Sequence, residues 1–71
     1  MKFIDVCRAL PRNTEVELTE FTEDMETQNK IGKLAVKDIL FGFYWNKYCD
    51  YYVLSIVPLS KTKVSIKVVK D

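Results

Sequence analysis

The chain contains no histidine and has two glycines, two prolines and two cysteines among its 71 residues. Without histidine it has no Ser–His or Cys–His nucleophile pair and no ordinary general base near neutral pH. The two glycines are not arranged as in the glycine-rich phosphate loops of dinucleotide-binding or P-loop proteins. We therefore expect a protein that is not an enzyme and needs no cofactor.

The two cysteines, Cys7 and Cys49, offer little further chemistry. A zinc site without histidine would need both thiolates plus carboxylates, and no CxxC spacing is present, so we expect no metal. One possible disulfide is sparse for a secreted mini-protein. Asp5 and Arg8 interrupt any signal-peptide hydrophobic region near the N-terminus. These observations predict a cytoplasmic protein with reduced thiols.

Long hydrophobic runs are also missing, since the longest apolar stretch, residues 39–45, covers seven positions. A membrane-spanning helix needs roughly 20 apolar residues, so we expect no contact with a membrane. The length predicts a single domain over residues 1–71. A domain of this size buries only about 60% of its unfolded surface and is marginally stable alone. With no disulfide or metal expected, association is the remaining source of stability, and we predict a homo-oligomer.

Aromatic residues, by contrast, are concentrated in one segment. Seven of the nine fall within twelve positions: Phe41, Phe43, Tyr44, Trp45, Tyr48, Tyr51 and Tyr52. Such a cluster can form the hydrophobic core, an oligomer seam, or a surface that stacks on a flat ligand, and the sequence leaves these interpretations open.

Within this cluster the residue types suggest a division of roles. Phe41, Phe43 and Tyr52 are predicted to be structural. Tyr44, Trp45 and Tyr48 are predicted to form a partly exposed face, because their polar tips tolerate water. The candidate ligand or interface residues are Tyr44, Trp45, Lys47, Tyr48 and Tyr51.

Lysines supply the second half of a possible binding site. Lys33, Lys37, Lys63 and Lys67 are predicted to project from strands as possible phosphate contacts. Aromatic side chains stack on nucleobases at roughly 1–3 kcal/mol per base, so this inventory suits a nucleotide or a short single strand.

Charge is distributed unevenly along the chain although the net charge is only +1. Residues 1–26 hold seven acids and three bases, and residues 27–71 hold eight bases and three acids. Six acids occupy a stretch without a base: Glu15, Glu17, Glu20, Glu23, Asp24 and Glu26. This stretch is interpreted as a solvated face, as one half of a dipolar surface that pairs with another copy, or as an imitation of phosphates. It would repel a long nucleic acid.

Local patterns predict the first elements. The apolar residues Phe3, Val6, Cys7 and Leu10 follow helical spacing, and Pro11 ends that segment. Alternation predicts a strand over residues 15–19, a loop over residues 22–30, and a second strand from residue 33 to about Ile39. An irregular or one-turn helical segment follows, with a break at Gly42.

Two further strands are predicted near the C-terminus, over residues 52–59 and 64–68, with a hairpin connection between them. Val64, Ile66 and Val68 are predicted to face inward. The order predicts an α+β fold, mainly β, with a short N-terminal helix packed on a four-stranded, strongly curved antiparallel sheet or small barrel.

Three segments carry a resemblance to a known group of proteins. These are T-x-V-x-L from Thr14, I-G-K-L-x-V-K-D-I over residues 31–39, and D-Y-x-V-x-S-I-x-P over residues 50–58. Their rhythm resembles that of short uncharacterised proteins encoded in bacteriophages and prophages of gut Firmicutes. The resemblance implies a phage accessory protein, inside the bacterial host cell, that counters a defence system by sequestering a nucleotide signal or blocking a defence protein. The alternatives are a small single-stranded nucleic-acid-binding module and an acidic, phosphate-mimicking inhibitor of a nucleic-acid-binding protein.

Overall fold

The computed structural model describes residues 1–22, 28–42 and 47–70. The elements in chain order are α1 (Phe3–Ala9), β1 (Glu15–Phe21), β2 (Gln28–Ala35), α2 (Val36–Phe41), β3 (Tyr52–Pro58) and β4 (Lys63–Val69). No helix within the described ranges has the length and apolar character needed to cross a membrane.

The four strands form one mixed sheet in the order β2-β1-β4-β3. Two antiparallel hairpins, β1–β2 and β3–β4, lie side by side, and their inner strands β1 and β4 run parallel. The predicted helix and four strands are confirmed, but the prediction of a wholly antiparallel sheet is wrong. The connection from β2 to β3 passes through α2 instead of a tight turn, so β3 does not lie beside β2. The sheet is open and not strongly curled, which leaves the predicted barrel and strong curvature without support.

Helix α1 forms where the sequence predicts it, with Phe3, Val6 and Cys7 buried on one stripe. Its N-terminus has no side-chain cap. The first amide groups bond instead to backbone carbonyls: the Phe3 N–H donates to the Tyr51 carbonyl at 2.8 Å and the Ile4 N–H to the Cys49 carbonyl at 3.1 Å. These bonds satisfy amides that a helix leaves unpaired and fix residues 49–51 against α1.

Helix α2 replaces the strand predicted to continue to Ile39. Strand β2 ends at Ala35, and the helix N-terminus is again satisfied by backbone groups, with the Val36 N–H donating to the Thr14 carbonyl at 2.9 Å. The helix ends at Phe41, and the predicted break at Gly42 is confirmed. A Cβ at Gly42 would collide with the Asp38 carbonyl oxygen, so the site requires glycine. The predicted loop over residues 22–30 is also too long, because β2 begins at Gln28.

The two faces of the sheet differ in character. The face that we call inner is covered by the helices and carries the core, which includes Val16, Leu18, Ile66 and Val68. Ile66 and Val68 are fully buried and Val64 is half-buried, which confirms the predicted inward set. The opposite, outer face carries the alternate residues of β1 and β4, where Glu17 pairs with Ser65 and Thr19 with Lys67.

The predicted division of the aromatic cluster is wrong for three of the described residues. Phe41 is 76% exposed and Tyr52 is 40% exposed, although both were assigned to the core. Tyr48 is 1% exposed, although it was assigned to an exposed face. Helical rotation explains Phe41: residues two apart on a helix point in nearly opposite directions, so burying Ile39 turns Phe41 toward solvent.

Candidate functional site

Two members of the aromatic cluster, Tyr48 and Tyr51, form a buried structural unit with Glu20. The rings of Tyr48 and Tyr51 meet edge to face, with centroids 4.8 Å apart and planes at 78°. Both hydroxyls donate to the carboxylate of Glu20, Tyr48 at 3.3 Å and Tyr51 at 2.9 Å. Because buried polar groups need partners, Glu20 allows both tyrosines to enter the core.

This environment also suppresses the acidity of one phenol. Burial, the hydrogen bond to Glu20 and the negative charge of that carboxylate raise the pKa of Tyr51 from 10.0 to about 12. Tyr51 is 8% exposed, so neither it nor Tyr48 offers a ring face for stacking on a ligand. Lys47 is exposed and lies over the Tyr48 ring, 5.3 Å from its centroid. Among the predicted ligand or interface residues, Tyr44 and Trp45 lie outside the described residues, as does Phe43.

A polar groove crosses the outer face of the sheet between β2, β1 and β4. Its volume is about 510 Å³. Three lysines line it, Lys30, Lys33 and Lys67, together with Glu17, Leu18, Thr19, Gln28, Gly32 and Ser65. We call this the lysine groove. Strand pairing brings the lysines together, since Glu17 lies opposite Lys33 and Thr19 lies opposite both Lys30 and Lys67.

The groove is electropositive. Three lysines against one glutamate leave a formal charge of +2. Lys33 Nζ lies 3.7 Å from Glu17 Oε1, and both side chains are substantially exposed, so this pair contributes little and can exchange partners. Within the described ranges Lys30 and Lys67 form no ion pair, and Lys67 Nζ lies 5.9 Å from the centroid of the Phe21 ring. Two lysines are thus available to an anion.

A bulge shapes the β2 wall of the groove. The β1–β2 register shifts between Leu18 and Thr19, which leaves Ile31 as an extra residue. The adjacent Gly32 has φ +129°, a conformation that residues with a Cβ rarely adopt. The bulge moves Lys30 into register with Thr19, so that Lys30 and Lys33 both line the groove. In a regular strand, residues three positions apart would lie on opposite faces.

The other two predicted phosphate contacts lie elsewhere. Lys63 is on β4, and its Nζ lies 3.5 Å from Glu15 Oε2. Lys37 was predicted to project from a strand, but it lies on α2, because β2 ends two residues before it. It borders a separate depression of about 410 Å³ with Asp38, Phe41 and Gly42. Of the four predicted phosphate contacts, Lys33 and Lys67 line the lysine groove; Lys30, which was predicted to lie in a loop, lines it as well.

The acidic stretch is partly neutralised by the fold. Glu15 and Glu17 pair with lysines, and Glu20 accepts from two tyrosines. Glu23, Asp24 and Glu26 lie outside the described residues. Half of the predicted phosphate-mimicking set is therefore engaged internally.

Other chemistry is sparse in the described part of the chain. It contains no group of three or more histidine, cysteine, aspartate or glutamate side chains that could bind a metal ion. Cys7 is fully buried, and burial raises the pKa of its thiol from 9.0 to about 12, which makes it a poor nucleophile. No protein-family model matches the chain, and neither a curated protein nor a solved structure is significantly similar to it.

Proposed function

We propose that the protein is a non-enzymatic binding protein whose lysine groove takes a small phosphate-bearing ligand, with a nucleotide as the best-fitting class. The observation that carries the proposal is the convergence of Lys30, Lys33 and Lys67 on one groove. Lysine binds phosphate as a compact point charge, and several lysines around one cavity favour an anion with more than one negative oxygen.

The volume and the other lining groups are consistent with this ligand class. About 510 Å³ falls within the usual range of small-molecule sites, roughly 300–1,000 Å³. Thr19 and Ser65 bring hydroxyl groups and Gln28 an amide, which can donate to phosphate or sugar oxygens. Phe21 lies at the end of β1, opposite Gln28, and would offer a ring to a base at that end of the groove.

The resemblance to phage accessory proteins gives this binding a biological role. A protein without a catalytic inventory removes a nucleotide signal by sequestering it, so the proposed ligands are nucleotide signals of a host defence system. Blocking a defence protein remains the alternative role. A long nucleic acid fits poorly, because the groove is confined to one face of a small sheet.

Isothermal titration with pyrophosphate and a panel of linear and cyclic nucleotides tests the proposal. We expect at least one to bind, with an affinity that falls as salt is raised. Replacing both Lys30 and Lys67 with glutamine should weaken binding about tenfold or more. Replacing both Lys37 and Lys61 with glutamine is the matched control, since it removes the same two charges outside the groove. Absence of binding across the panel, or equal weakening by the control, would refute the proposal.

A further inference from the structure

One edge of the sheet is apolar and carries no charge. Strand β3 and the residue that follows it carry five of the seven large hydrophobic side chains that are exposed in the described ranges: Tyr52, Leu54, Ile56, Val57 and Leu59, each 40–49% exposed. No charged residue occurs between Asp50 and Lys61. Natural edge strands usually carry charge that discourages pairing with other chains, whereas this edge carries none and is interrupted only by a register shift at Leu54 and by Pro58 at its end.

The opposite edge is protected in the expected way. Strand β2 carries Lys30 and Lys33 and contains the bulge at Gly32. The two lysines discourage the approach of another strand, and β3 has no such charge. Pairing through β3 would consequently stop after one partner and would not propagate.

The start of the β3 edge is already occupied. The Val53 N–H donates to the Met1 carbonyl at 2.8 Å, and Lys2 forms a bridge with Tyr52. The remaining open edge runs from Leu54 to the end of the strand at Pro58, and its middle residue is Ile56.

Hydrogen bonding to β4 alternates along β3, so the backbone N–H and C=O groups of Ile56 are left to bond to another strand. The Leu59 N–H donates to the Lys63 carbonyl, so Leu59 faces β4. In an antiparallel pair, the residues whose backbone groups bond to the partner strand alternate along the chain. The backbone groups of Val57 and Ser55 therefore also point toward β4, whereas those of Ile56 and Pro58 point away from β4. Proline needs no donor there, which suits its position on an edge.

We propose that β3 pairs antiparallel with β3 of a second copy, and that the twofold axis passes through Ile56. Pairing about this residue sets Ile56 opposite Ile56 and Leu54 opposite Pro58, so two copies meet over residues 54–58 without displacing the N-terminal residues. Because of the register shift at Leu54 and the missing donor of Pro58, the Ile56 pair supplies the regular backbone bonds. The pairing brings no like charges together, because the segment contains none. An eight-stranded sheet results, in which β3 of each copy separates its lysine groove from the new seam.

The area is sufficient for a dimer of modest affinity. The exposed parts of the five apolar side chains amount to on the order of 400 Å² per protomer. Strand pairing covers only the edge-facing part of these side chains, and Tyr52 and Leu59 lie outside the paired segment, so two copies would bury less than about 1,000 Å² in total, as weak and transient interfaces do. The dimer should therefore dissociate on dilution.

Sedimentation equilibrium over about 1–100 µM protein tests this inference. The wild-type mass should rise from 8.3 kDa toward twice that value. Ile56→Lys should stay at the monomer mass, because two ammonium groups would face each other across the axis. Asn29→Lys is the matched control on the exposed opposite edge and should behave as wild type.

Charge complementation tests the register itself. Ile56→Lys and Ile56→Glu should each be monomeric, and an equimolar mixture should form dimers, because paired residues lie about 5.5 Å apart across such an axis. Hydrogen exchange of the wild-type Ile56 amide should slow as concentration rises, which needs no variant. A wild-type mass of 8.3 kDa throughout would overturn the proposal and leave the edge to a strand of another protein. A dimer retained in Ile56→Lys, a mass that grows beyond the dimer, or no pairing in the mixture would overturn it equally.

Discussion

Replacing Tyr51 with phenylalanine removes one hydroxyl from the unit formed by Tyr48, Tyr51 and Glu20. The lost bond is 2.9 Å long and involves a carboxylate. Hydrogen bonds to charged groups contribute about 1.5–3 kcal/mol, and at 8% exposure water can replace this one only in part. Glu20 keeps its second donor, Tyr48. We therefore expect the free energy of unfolding to fall by about 1.5 kcal/mol, and the midpoint of thermal unfolding by about 10 °C.

The neighbouring tyrosine provides a matched control. Tyr52 is 40% exposed, and its hydroxyl makes no hydrogen bond to the described residues, so Tyr52→Phe should change stability by less than about 0.5 kcal/mol. Urea unfolding at one fixed protein concentration measures both variants. A double-mutant cycle with Glu20→Gln should give a coupling of about 1 kcal/mol. Equal effects of the two tyrosine variants would refute the assignment of Tyr51 to the core.

Three further expectations follow from burial. Burial and the hydrogen bond to Glu20 raise the pKa of Tyr51 to about 12, so the folded state binds this proton more tightly than the unfolded state does. The free energy of unfolding should therefore fall as pH rises from about 10 through about 12. A decline of the same size in Tyr51→Phe would contradict this. Ile39→Ala should lower the free energy of unfolding in urea by about 2–5 kcal/mol and Phe41→Ala by less than about 1 kcal/mol, because Ile39 is fully buried and Phe41 is 76% exposed. The reverse order would show that Phe41 belongs to the core. A thiol reagent at pH 8 should modify the half-buried Cys49 first and Cys7 only at the rate of unfolding; equal rates would contradict the burial of Cys7.

The parts of the fold that could be predicted from the sequence are those encoded over a few neighbouring residues. Helical spacing identified α1, and alternation identified β1 and β4 together with their inward sides. The parallel pairing of β1 with β4 could not be predicted, because it joins residues almost fifty positions apart and depends on the path of α2. The prediction that the second strand continues to Ile39 was wrong for the same reason. The alternating pattern continues through residue 37, and only the bonds that the Val36 and Lys37 N–H groups donate to the Thr14 and Arg12 carbonyls show where the helix begins.

The candidate site was predicted only in part, for related reasons. The density of aromatic residues does not determine which rings are buried; Tyr48 and Tyr51 enter the core because Glu20, far away in sequence, accepts from both. Lys33 and Lys67 were recognised as strand lysines. Lys30 reaches the groove only through the bulge at Ile31, and the conformation of Gly32 is the single local sign of that bulge.

Amide chemical-shift mapping during a titration with pyrophosphate tests the lysine groove most directly. The account predicts that shifts concentrate at Thr19, Lys30, Gly32, Ser65 and Lys67, with Gly32 as a well-separated reporter in the wall of the groove. Residues 47–52 should stay unperturbed, since their described aromatic rings pack in the core or lie outside the groove. Shifts centred on residues 47–52, or no saturable shift in the groove, would contradict the account.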